Sequence, residues 1–108
     1  MSGSSETKLI KLDAANWKNA LDFYNALLLA LGAPEWHGRN INALMDSMIW
    51  GEINDVEPPY KVQIYSTKNL PADVTQELKW VEESLAEQRA YCIATRGHDV
   101  QADFEIIK

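Results

Sequence analysis

Hydrophobic and polar positions change their spacing several times along the chain, and each change marks an element. Leu9-Ile10-Lys11-Leu12 is a short, mostly apolar run that predicts a strand. Asp13 to Asn16 then supply capping residue types ahead of a helical pattern. In that pattern Trp17, Ala20, Leu21, Tyr24, Leu27, Leu28 and Leu31 recur at helical spacing, so one stripe of a helix is expected to face inward, with Gly32 and Pro34 ending it. Asn40 can cap a second helix that runs through Trp50. Its inward stripe is Ile41, Leu44, Met45 and Met48, Gly51 closes it, and Asn42, Asp46 and Ile49 share the opposite face.

Glu52 to Pro59 has loop composition and a local negative charge from Glu52, Asp55 and Glu57. Val62 to Tyr65 alternates and begins a second strand. Asn69 to Asp73 reads as a turn and helix start, after which Val74, Leu78, Val81 and Leu85, with Trp80 alongside, predict a third helix to about Gln88. Ala90 to Thr95 is read as a strand buried on both faces, broken by Arg96-Gly97-His98-Asp99, and Phe104 to Ile107 as a candidate extra edge strand. Strands separated by helices imply crossover connections, hence an α/β class: a small three-stranded parallel sheet with helices packed on it.

The chain's 108 residues, 46% of them hydrophobic, suit one domain with a single core, assigned to residues 8–108. Residues 1–7, rich in serine and glycine, are expected to be disordered. Sixteen acidic against ten basic residues give a net charge of -6, which argues against direct nucleic-acid binding, since that draws on cationic contacts with phosphates. Neither a secretory leader nor a membrane-spanning apolar stretch is read in the chain, and the one cysteine, Cys92, lies in an apolar run; cytoplasmic residence is the expectation.

Candidate chemistry is sparse. His37 and His98 have no second histidine or cysteine at metal-ligand spacing, so no metal or other cofactor is expected. The chain has no glycine-rich phosphate loop and no nucleophile elbow. An Asp46–His37 acid–base pair is the sole hydrolytic option, and nothing supplies oxyanion donors for it, so the chain is not expected to be an enzyme. A loop carrying an aromatic and an imidazole instead precedes a helix with a lone acid on its polar side, an arrangement that displays side chains to a partner. A carboxylate held rigidly on a helix can take the place of a phosphate in a cationic active site.

The stretch Leu31-Gly32-Ala33-Pro34-Glu35-Trp36-His37-Gly38-Arg39-Asn40-Ile41-Asn42-Ala43-Leu44-Met45-Asp46 resembles the barstar family, small intracellular inhibitors of barnase-type ribonucleases. The Pro-Glu-aromatic, the glycine, the asparagine, the Ala-Leu pair and the final acid match its pattern in register. The resemblance implies that Asp46 is the central anionic anchor, with Trp36 and His37 at the aromatic positions of the loop, Gly38 and Asn40 as loop and cap, and Glu83 on the third helix as a peripheral acid. Asn42 stands where the family carries a second acid, Met45 where it carries an aromatic, and Trp50-Gly51 reverses the family's Gly-Trp order; both Asn42 and Met45 are counted in the expected partner-binding set. The implied function is an intracellular inhibitor, an immunity protein that occludes the cationic active site of a basic ribonuclease or nuclease toxin with an acidic helix and the preceding loop; the departures at Asn42, Met45 and Trp50-Gly51 favour a target different from barnase. The alternative is a barstar-fold adaptor for an unrelated endogenous protein.

Overall fold

A computed structural model of the chain describes residues 7–51 and 53–107. Most of the N-terminal stretch expected to be disordered, residues 1–6, lies outside the described residues, as do Glu52 of the acidic loop and Lys108.

The order of elements is β1 (Lys8–Asp13), α1 (Ala20–Leu31), α2 (Ile41–Met45), a π-helical turn (Asp46–Trp50), β2 (Tyr60–Tyr65), α3 (Ala72–Arg96) and β3 (Ala102–Ile106). The strands form one sheet in the order β1-β2-β3 with both pairings parallel, the α/β arrangement expected of the sequence. Register stacks the apolar positions in rows: Ile10 beside Val62 beside Phe104, and Leu12 beside Ile64 beside Ile106. Because side chains alternate across a strand, these rows face one side, where Tyr60, Val62 and Ile64 are completely buried beneath the helices. The other side carries polar partners instead. Gln63 and Lys61 reach Glu105 at 3.0 and 3.2 Å, and Tyr65 donates to Gln63 at 2.7 Å. Those contacts, the Gln63 amide first and then Lys61, hold the Glu105 carboxyl below its usual range.

α1 starts later than the sequence pattern indicates. The cap is Asn19, whose Oδ1 accepts from the Asp22 amide at 3.0 Å, so Trp17 lies ahead of the helix, where its ring meets Phe23 at 5.6 Å between centroids. Phe23, Tyr24, Leu27, Leu28 and Leu31 make the buried stripe, whereas Leu21, expected in it, is half exposed because it lies off that face. Gly32 ends the helix in the left-handed conformation, φ 66°, and a Cβ there would meet Asp55 Cβ at 2.7 Å. The close approach lets residues 55 and 56 donate back to the last carbonyls of α1, Asp55 to Gly32 at 3.2 Å and Val56 to Leu31 at 3.0 Å.

The largest departure from expectation is at Ala90–Thr95, which is not a strand: α3 continues for 25 residues to Arg96. A short apolar run fits a buried strand or a helix equally, and here the heptad spacing of Leu78, Leu85 and Cys92 carries the buried stripe straight through it. Gly97 in the left-handed conformation stops the helix, its amide donating to Ile93 at 3.0 Å. Trp80, expected beside the inward stripe, is half exposed. The C-terminal segment, read as an optional edge strand, therefore supplies the third parallel strand.

Arg89 secures the return to that strand. Its Nε and Nη2 bind both oxygens of Asp99 at 2.9 and 2.5 Å, and Nη1 reaches Asp103 at 3.4 Å. The hydrogen bonds from Arg89 hold the Asp99 carboxyl below its ordinary value of 3.8. The stabilisation is therefore complete above that ordinary value and is lost as pH falls through the lowered folded-state value. Asp99→Asn is expected to reduce stability at neutral pH by less than about 1 kcal/mol, since the pair is partly solvated. It should also flatten the acid side of the stability profile, which urea midpoints taken at descending pH would reveal.

Candidate functional site

The candidate surface begins at the turn after α1. The His37 amide donates to Pro34 at 3.0 Å, closing a turn that carries Trp36 near its tip, 75% exposed. A large ring left that open is an uncompensated apolar surface of the sort that anchors interfaces. Asn40 then caps α2, its Oδ1 accepting from the Ala43 amide at 2.8 Å. Gly38 sits so close over the helix that an added Cβ would lie 3.1 Å from Ala43 Cβ. Asn40→Ala is expected to cost about 1 kcal/mol, seen as a lower urea midpoint with an unchanged slope.

His37 does not join Trp36 at the surface. It is only 3% exposed, with Nδ1 2.7 Å from the Gly38 carbonyl and Nε2 2.8 Å from Ser47 Oγ. A carbonyl can only accept, so Nδ1 carries the hydrogen. Ser47 Oγ is also 3.2 Å from the Leu44 carbonyl. The imidazole thus pins the loop to the helix beneath it, and both ring nitrogens are used inside the fold rather than on Asp46. The expectation that His37 meets a partner is corrected accordingly; its burial had no signal in the local sequence.

α2 is a single short stretch that passes into the π-helical turn, where the Gly51 amide donates to Asp46 at 3.3 Å. A π-turn spaces its hydrogen bonds five residues apart, so the faces of the helix are rotated relative to an α-helix. Ser47, Met48 and Ile49 are consequently all buried, and Ile49 leaves the outer face on which ordinary helical spacing had put it. Asp46 and Trp50, at the two ends of the turn, are exposed. Asn42 is exposed as well, whereas Met45 is buried in the core with Leu44, so that it offers a partner little more than an edge.

α3 forms the opposite wall. Asn42, Met45, Asp46 and Trp50 face Ser84, Glu87 and Gln88 across a polar groove of about 230 Å3. Glu83, the acid expected here, is exposed but does not line the groove; Glu87, one turn on, does. Ser84 and Gln88 each follow a buried residue by three, Val81 and Leu85, and this offset is the signal that could have selected them over Glu83. Arg96 stacks over the Trp50 ring at 4.3 Å, bracing the end of the π-turn against α3. The Asp46 carboxylate makes no hydrogen bond or ion pair among the described residues; only the main chain of the residue is bonded. It is an open carboxylate on a braced turn, beside a second carboxylate at Glu87.

Among the described residues no group of His, Cys, Asp and Glu converges as metal ligands, and no helix is long and apolar enough to cross a membrane. A search of curated proteins finds no match to the chain. A family model described as Barstar (barnase inhibitor) matches residues 7–105, a span that takes in β1, β2, the helices, all of β3 but its last residue, and the whole Trp36–Asp46 surface. The chain belongs to the barstar family.

Proposed function

We propose that the protein is a stoichiometric inhibitor that occludes the cationic active site of a ribonuclease or nuclease toxin, with Asp46 as the group that enters it. The observation that carries this reading is the Asp46 carboxylate: exposed, without a partner among the described residues, and mounted on a turn held by the Gly51 amide and buried against the core through Ser47, Met48 and Ile49. A ribonuclease gathers arginine, lysine and histidine around the phosphate it cleaves, and a fixed carboxylate satisfies the same groups with charge-assisted hydrogen bonds. Rigid mounting reduces the conformational entropy lost on docking. Membership of the barstar family supports the inhibitor class.

Trp36, Gly38, Asn40 and Asn42 flank the anchor on the loop and α2, and Glu83 and Glu87 extend the negative face along α3. A net charge of -6 would steer a basic enzyme toward that face. With Asn42 in place of an acid and Arg39 nearby, the surface suits a nuclease other than barnase itself. Affinity capture from the source cell and its secreted proteins, compared between wild type and Asp46→Ala, tests the assignment. Retention of a basic nuclease by the wild type alone upholds it. Retention of one non-nuclease protein by both replaces it with an adaptor.

A further inference from the structure

A second, chemically different groove opens on the N-terminal half of α3, where the strands of the sheet end. Its cavity is about 590 Å3, within the range of small-ligand sites, and Leu70, Leu78 and Ile106 are the apolar residues that line it. Three charged residues edge it, Lys68, Lys79 and Glu82. Neither lysine forms an ion pair among the described residues. Two unpaired cations against one carboxylate, on a chain of net charge -6, make this a locally positive rim around an apolar floor.

We propose that this groove binds a free organic anion with an apolar body, a medium-chain or aromatic carboxylate, its tail lying on Leu70, Leu78 and Ile106 and its carboxylate between Lys68 and Lys79. The complementarity is twofold. An apolar chain gains from leaving water for the leucine and isoleucine surface, and the lysine stems can cover it while their ammonium groups remain at the rim. A neutral chain uses the floor alone, and a small inorganic anion uses the rim alone. The site is separate from the Asp46 surface, which meets α3 farther along, at Ser84 to Gln88.

Octanoate, with 1-octanol as its uncharged counterpart, provides the test, read by amide chemical shifts of the full chain. Octanoate should give saturable shifts at Thr67 to Glu82 and Ile106 and bind more tightly than octanol. The exposed pair Lys68→Gln and Lys79→Gln should weaken octanoate by about tenfold, as expected for two solvated charge contacts, and leave octanol unchanged. Thr75→Phe, which fills the groove without removing a lysine, should block both. Absence of saturable shifts, or an octanoate affinity unaffected by the two lysine changes, overturns the proposal. Perturbation of the same residues by anionic phosphatidylglycerol vesicles but not by octanoate also overturns it, in favour of a lipid surface.

Discussion

Asp46→Ala is expected to lower partner affinity by about 2 to 5 kcal/mol, the usual cost of truncating one member of a desolvated, hydrogen-bonded charge pair. That loss corresponds to roughly thirtyfold to several thousandfold in Kd. The substitution should leave folding alone. The Asp46 side chain touches no described hydrogen-bond partner, and the π-turn is held by its main chain and by Ser47, Met48 and Ile49 rather than by the carboxylate. Titration of the captured nuclease by both proteins, beside a thermal melt of each, separates the two claims. Weakened inhibition with an unchanged melting temperature is the expected pair of results, and a collapsed melt would mean that Asp46 is structural. Asp46→Asn offers a finer reading, since it preserves shape and most hydrogen-bonding capacity but discards the charge. If electrostatic complementarity dominates, it should approach the alanine variant and flatten the salt dependence of association.

Leu44→Ala should destabilise the domain by about 2 to 5 kcal/mol, because Leu44 is completely buried and a deleted side chain leaves a cavity as well as losing its burial. For a chain of this size the melting temperature should fall by roughly 10 to 20 °C. Leu44 lies on α2, directly ahead of the turn that bears Asp46, and its carbonyl faces the hydroxyl of Ser47. The same substitution therefore loosens the platform on which the carboxylate is mounted. At a temperature where the variant is still folded, weaker partner binding with intact Asp46 would show that rigidity of the turn contributes to affinity. Stability close to wild type would contradict the packing of α2 on the core.

Much of this organisation is legible in the residues themselves. β1 and β2 follow from short apolar runs, α1 from its recurring leucines and the glycine that stops it, and the start of α3 from the stripe Val74, Leu78, Val81 and Leu85. Asn40 is recognisable as a cap because a short carbonyl side chain ahead of an apolar period has one obvious use, and the structure places it on the Ala43 amide. Asp46 stands out for a related reason: it is the acid on the polar side of the helical pattern that runs from Asn40 through Trp50, directly preceded by positions that must pack. These are local properties, determined by the spacing of neighbours along the chain.

What the sequence determined by itself is thus the α/β class, the positions of most elements, and the chain segment that presents the candidate surface. Tertiary structure decided the rest, and in each case the deciding contact joins residues that are distant in the chain or depends on how a whole element packs. Ala90 to Thr95 could be strand or helix by its own composition; the buried line through Leu85 to Cys92, and Arg89 holding Asp99, commit it to α3 and pass the third strand to Ala102–Ile106. Ile49 turned inward because the π-turn rotates its face into the core. His37 was drawn from the surface by a partner ten residues away, Ser47, while Glu87 rather than Glu83 met the Asp46 groove through the rotation of α3 against α2. Periodicity tells which residues share a face, but only the packing of one element on another settles which face is covered and what stands across from it.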